Sequence, residues 1–141
     1  MDGKTFSGNF IEGKKTGGCK ITWPSKGTYE GDMKDDMLDG DGIYKWEDGR
    51  VYKGSWKKDM IHGDGEYSWP DGRKYTGEYN EDKKHGYGKF IMKDGNKYEG
   101  YWKDGLQHGV GKIITKDNKA KKGTWNEGKF IGFLPKTIKM E

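Results

Sequence analysis

Tyr29, Tyr52, Tyr75 and Tyr98 stand 23 residues apart, and the rest of the sequence keeps that step. Gly31, Gly54, Gly77, Gly100 and Gly123 follow each start position by two residues, and Met33, Trp56, Tyr79, Trp102 and Trp125 by four. Gly40, Gly63, Gly86 and Gly109 form another series, Gly42, Gly65, Gly88 and Gly111 another. Trp23, Trp46 and Trp69 are in phase, continued by Met92 and Thr115. Asp48-Gly49, Asp71-Gly72 and Asp94-Gly95 close three copies. A chain that restates one short unit without gaps builds a stack of similar local structures, each resting on its neighbours. The units are full repeats at 29–51, 52–74, 75–97 and 98–120, a looser one at 6–28 and a half unit at 121–133, followed by a tail at 134–141.

Composition is read in that light. Charged residues are 35% and apolar ones 30%, a balance that in a non-repetitive chain signals disorder. A repeat array needs no conventional core, so the period outweighs the composition. The net charge is +4, split as −2 over residues 1–70 (11 basic, 13 acidic) and +6 over 71–141 (16 basic, 10 acidic). That gradient is too mild for a nucleic-acid stripe. Cys19 is the one cysteine, so no internal disulfide forms and a reducing compartment is expected. The opening MDGKTFSGNF holds no apolar run of the kind a secretion signal carries.

Within each unit, Tyr-x-Gly-x-Trp (Tyr52, Gly54, Trp56) and Gly-x-Tyr-x-Trp (Gly65, Tyr67, Trp69) alternate with period two, the signature of strands with these residues on one face. KKDMIHG between them reads as a hairpin loop, and PDGRK as a tight Asp-Gly turn. The expected fold is all-β: a single elongated, twisted antiparallel β-hairpin meander, one hairpin per 23 residues. The mid-strand glycines leave room for rings to lie on the backbone, and these rings replace an aliphatic core.

The pattern resembles the MORN repeat, close to YxGxWxxGxxHGxGxxxxxDGxx, from about Phe6 to Phe133. The first unit departs from it, with Thr16-Gly17 in place of His-Gly. The last has Lys121 in place of Tyr and is expected to stop after one strand. Degenerate ends resemble capping units, and with Met1 they lead to the expectation of a complete small protein. The resemblance implies an elongated sheet with an aromatic-lined groove. It also implies a non-catalytic scaffold or adaptor like those in axonemal and parasite cytoskeletal assemblies or on myosin tails. Where such arrays accompany enzymes, a separate domain does the chemistry.

A single sheet must cover its own aromatic face or offer it to a partner. The expected protein-binding groove comprises Tyr44, Trp46, Trp56, Trp69, Tyr75 and Trp102, taking an extended segment or a helix. On the opposite face, Tyr87, Ile91, Tyr101, Val110 and Ile114 form an apolar patch where the preceding repeats are polar. Its cover is either the tail, with Phe130, Ile131, Phe133, Leu134 and Ile138, or a partner. A lipid-tethering alternative rests on Lys112, Lys116, Lys119, Lys121 and Lys122 contacting acidic phospholipid weakly. A regulatory fragment of a larger enzyme is a third reading, and homodimerisation through a terminal unit is left open.

No cofactor, metal or nucleic acid is expected. His62, His85 and His108 recur at one repeat position, which places them roughly 10 Å apart in adjacent hairpins, too far for one metal. Asp35, Asp36, Asp39 and Asp41 lack the spacing of a calcium loop. No nucleophile–base pair is legible, so no catalytic residue is expected. The resemblance implies a cytoplasmic, cytoskeleton- or cilium-associated location.

Overall fold

The computed structural model describes residues 3–134, and these form twelve strands in one antiparallel sheet in sequence order. The strands run as six hairpins. They are β1 (Thr5–Ile11) with β2 (Lys14–Trp23), β3 (Gly27–Lys34) with β4 (Met37–Trp46), and β5 (Val51–Lys57) with β6 (Met60–Ser68). Then come β7 (Lys74–Asn80) with β8 (Lys83–Ile91), β9 (Lys97–Lys103) with β10 (Leu106–Ile114), and β11 (Ala120–Asn126) with β12 (Lys129–Phe133). The meander with one hairpin per repeat is therefore the fold. The proposed tail cover beyond Leu134, Ile138 included, lies outside the described residues.

The connections differ from expectation in three places. In KKDMIHG only Lys58 and Asp59 lie between the strands, with φ of 48° and 66°. Two consecutive left-handed residues make a type I′ turn, whose twist suits the flanking strands. Met60 to Gly63 therefore belong to β6. The Asp-Gly pairs sit instead in longer connections between repeats. At 69–73 the Trp69 N–H donates to the Arg73 carbonyl (2.9 Å) and the Gly72 N–H to the Trp69 carbonyl (3.1 Å). Finally, the terminal half unit does not stop after one strand. β12 pairs with β11 from Asn126↔Lys129 to Gly123↔Phe133, making a short sixth hairpin.

Register explains the glycines. Tyr29, Tyr44, Tyr52, Tyr67, Tyr75, Phe90, Tyr98 and Ile113 stand in one cross-strand row. Gly31, Gly42, Gly54, Gly65, Gly77, Gly88, Gly100 and Gly111 form the next. A Cβ added at Gly54 would lie 2.5 Å from the Gly65 Cα and 2.7 Å from the Tyr52 hydroxyl, so no side chain fits. The rings of Tyr29, Tyr52, Tyr75 and Tyr98 occupy that space and are fully buried. Each is met edge-on by a ring of the next hairpin, and Tyr52, Tyr75 and Tyr98 also by one of their own. Trp56 and Tyr79 meet Tyr52 with centroids at 5.3 and 5.7 Å, and Trp102 and Trp125 meet Tyr98 at 5.2 and 4.9 Å. Such edge-to-face pairs add roughly 0.5–1.5 kcal/mol beyond burial, and here they join successive repeats.

Tyrosine, rather than phenylalanine, is needed for a second reason. The ladder slips by a bulge just after the glycine in β3, β5, β7 and β9. The tyrosine hydroxyls donate to carbonyls there: Tyr29 to Asp32 (2.7 Å), Tyr52 to Ser55 (2.9 Å), Tyr75 to Glu78 (2.9 Å) and Tyr98 to Tyr101 (2.8 Å). Burial raises the pKa of all four phenols, that of Tyr98 to about 12.

A second periodic device locks hairpin to hairpin. The turn residues Asp36, Asp59, Asp82, Gly105 and Gly128 donate their N–H to the carbonyls of Lys15, Leu38, Ile61, Lys84 and Gln107, at 2.8–3.1 Å. At the first three junctions the aspartate carboxylate also accepts the returning N–H of Lys15, Leu38 or Ile61, at 2.7–2.8 Å. Glycine at the last two junctions cannot do this.

Candidate functional site

In the first four hairpins the second strand, or the residue just after it, carries a further set of rings on the same face, beside the connections between repeats. Trp23, Tyr44, Trp46, Tyr67, Trp69 and Phe90 make a continuous ladder with centroid steps of 5.6, 4.5, 5.3, 4.4 and 5.9 Å. All six are partly buried, packed on the core from one side. Cations rest on three of its tryptophans: Lys4 on Trp23 at 5.7 Å, Arg50 on Trp46 at 4.9 Å and Arg73 on Trp69 at 5.0 Å. The Asp-Gly loops aim these arginines, because Arg50 pairs with Asp48 and Arg73 with Asp71, each at 2.8 Å. Arg50 also donates to the Tyr67 hydroxyl at 2.9 Å.

Lys84 enters this surface from β8. Its Nζ lies 5.5–5.6 Å from the ring centroids of Trp69, Tyr75, Phe90 and Trp102. It is half-buried, and desolvation, helped by the nearby Arg73 charge, holds its pKa below the ordinary lysine value.

Of the six residues expected to line a protein-binding groove, three lie on this partly buried surface and three in the core. Tyr44, Trp46 and Trp69 belong to the ladder. Tyr75 is fully buried, and Trp56 and Trp102 are only 7% and 8% exposed. Their indole N–H groups donate to the carbonyls of Gly42 (3.4 Å) and Gly88 (3.2 Å), which fixes them in the core. Residues on one face thus divide into a buried layer and an open one, which alternation alone does not separate. Trp23, Tyr67 and Phe90 complete the open layer. Their signal was the periodic series of second-strand aromatics, Trp23 with Trp46 and Trp69 above all.

The opposite-face patch is two groups rather than one. Tyr87 and Tyr101 meet edge-on at 5.5 Å beside Val110, and all three are exposed. Ile91 and Ile114 flank Lys97 in a different cross-strand row. Between the groups runs the row Lys89, Glu99, Lys112 and Lys122. A larger open trough of about 750 Å³ lies on this face further toward the N-terminus. Gly42, Gly54, Gly65 and Gly77 floor it, and Glu30, Asp41, Asp64 and Glu66 make its walls acidic.

The lysines of the lipid alternative do not share a face. Lys112 and Lys122 stand in the opposite-face row, whereas Lys121 pairs with Ile113 in the tyrosine row and lies over Phe133 at 5.0 Å. Lys116 and Lys119 bracket the connection between β10 and β11, with Lys119 at 3.8 Å from Asp117. The histidines serve turns: His62 and His108 accept the N–H of Glu81 (3.3 Å) and Glu127 (3.2 Å) through Nδ1. Cys19 is buried in the glycine row between Gly8 and Gly31, and burial raises its thiol pKa.

The profile of the MORN repeat matches residues 6–28, 29–49, 52–72, 75–97 and 98–119. The chain belongs to the MORN repeat family. MORN repeats are in general a non-catalytic module, often engaged in protein or membrane interactions. No curated protein matches the sequence closely enough to add a relative.

Proposed function

We propose that this MORN array is a non-catalytic scaffold or adaptor whose aromatic ladder docks a segment of another protein. The ladder carries the reading: six partly open rings in unbroken contact span four hairpins. Tryptophan, tyrosine and arginine, the residues that dominate binding energy at protein interfaces, are concentrated on it. Each of these rings packs on the core with one side and keeps part of its surface open to solvent. Dispersal of Lys112, Lys116, Lys119, Lys121 and Lys122 over separate surfaces favours protein over lipid as the ligand. A cytoplasmic setting in a cytoskeletal or ciliary assembly is carried over from the resemblance of the repeats to arrays found there.

The test is affinity capture from the source cell's extract with three baits: the wild type, Trp46→Ser/Trp69→Ser, and Tyr87→Ser/Tyr101→Ser. The ladder variant loses the principal partner while the opposite-face variant keeps it. The reverse pattern overturns the assignment.

A further inference from the structure

The repeat position that Lys84 occupies varies along the array, through Lys15, Leu38, Ile61, Lys84, Gln107 and Phe130. The corresponding residues of the two preceding hairpins, Leu38 and Ile61, are buried apolar side chains facing Met33 and Trp56. Lys84 pairs with Tyr79 in the same register and places an ammonium among four rings. Arg50 and Arg73 nearby are each neutralised by an aspartate at 2.8 Å. Lys84 has no carboxylate within 4.0 Å among the described residues. In the free array, water reaches the half-buried amine and the ring faces stabilise its charge. Any segment laid along Trp69 and Phe90 removes that water. An all-apolar segment would leave a desolvated, unpaired charge, which is strongly unfavourable. A carboxylate would pair with it inside a low-dielectric surround, where the attraction is large.

Resting on the docking reading above, we infer that the ladder selects a protein segment whose apolar side chains flank an aspartate or glutamate, and that Lys84 is the residue that recognises this carboxylate. The apolar flanks meet Tyr44, Trp46, Tyr67 and Trp69, and the acid meets the Lys84 ammonium beside Trp69 and Phe90. Lysine here works mainly as a filter. It gives modest attraction to the right segment and rejects neutral or basic ones.

A displayed library of random 12-residue peptides, selected on the full chain, provides the probe. Selections run in parallel on the wild type, Lys84→Leu and Trp46→Ser/Trp69→Ser. Lys84→Leu restores the residue type of Leu38, so it keeps the fold, and its melting temperature is measured alongside. The wild type enriches peptides with aromatic or aliphatic residues around one Asp or Glu. Changing that acid to its amide weakens binding to the wild type by about tenfold or more and leaves binding to Lys84→Leu unchanged. Lys84→Leu enriches apolar peptides without an acid. Should ladder-dependent peptides lack an acid, or bind the Lys84→Leu chain with the same acid preference, the inference is overturned and the docking reading stands. If no enriched peptide depends on Trp46 and Trp69, both fall.

Discussion

The first three junctions between hairpins and the last two solve the same problem with different residues. Asp36, Asp59 and Asp82 hold the preceding strand with a backbone N–H and a carboxylate, whereas Gly105 and Gly128 hold it with the backbone alone. Aspartate accepts a left-handed backbone, φ of 65–67°, for that second bond, and glycine adopts φ of 83° and 87° without steric cost. The aromatic ladder fades over the same boundary: Trp23, Trp46 and Trp69 give way to Met92 and Thr115. Exposed rings then appear on the other face, at Tyr87 and Tyr101. The buried tyrosine layer, by contrast, continues unchanged from Tyr29 to Tyr98. One repeat thus has a part that must be conserved along the array for folding and parts that vary. The varied parts can differ without disturbing the buried tyrosine layer.

The largest effect separates these two kinds of part. Truncating Tyr52 to Ala removes a buried ring between Trp56 and Tyr79 and is expected to cost about 3–5 kcal/mol. Tyr98→Ala is expected to cost the same, since Trp102 and Trp125 flank it as closely. Urea denaturation measures both. A much milder Tyr98→Ala would mean that the halves differ in their core as well as at their junctions.

Next in size is an exchange of junction types. Asp59→Gly turns a clasped junction into an unclasped one and removes the acceptor of the Leu38 N–H at 2.7 Å. It should cost about 1.5–3 kcal/mol, the range of a hydrogen bond to a charged group. The readout is faster amide exchange at Leu38. Equal exchange in Asp59→Gly and wild type would show that the clasp adds nothing to the backbone bond.

The smallest effect is on pH dependence. Folded-state phenol pKa values of Tyr29, Tyr52, Tyr75 and Tyr98 lie above the unfolded value of about 10, because burial disfavours the phenolate. Their contribution is fully present below that value and is lost as pH rises through the folded pKa, for Tyr98 between about 10 and about 12. Melting temperature should therefore hold steady up to about pH 10 and fall above it. Phenolate absorbance should rise together with unfolding. Full tyrosine ionisation in a still-folded chain would contradict the buried layer.

Much of this was legible in sequence because the repeat compares each position with itself. The spacing of Tyr29, Tyr52, Tyr75 and Tyr98 and of the glycines behind them defines strands, faces and hairpin count. What remained hidden depends on which way a side chain leans. Trp56 and Trp69 lie on the same face, yet one tucks under the preceding hairpin, against Tyr29 and the Gly42 carbonyl, and the other stays partly open. The clasps were present as a period-23 series, Asp36, Asp59 and Asp82, but Asp36 reads first as part of an acidic loop. The split of Tyr87 and Tyr101 from Ile91 and Ile114 depends on cross-strand register, which no single strand reveals. Lys84 shares its repeat position with Lys15, Leu38, Ile61 and Gln107, and only the four rings around it set it apart.

The claim that the open ladder, rather than the opposite face, meets the partner is tested most directly by site-specific photo-crosslinking. A photoreactive phenylalanine analogue replaces Trp46, Trp69, Tyr87 or Tyr101 singly, and each chain is irradiated in the source cell's extract. The account predicts one shared adduct from positions 46 and 69 and none of that mass from 87 or 101. The same adduct from 87 and 101, with 46 and 69 silent, would contradict it.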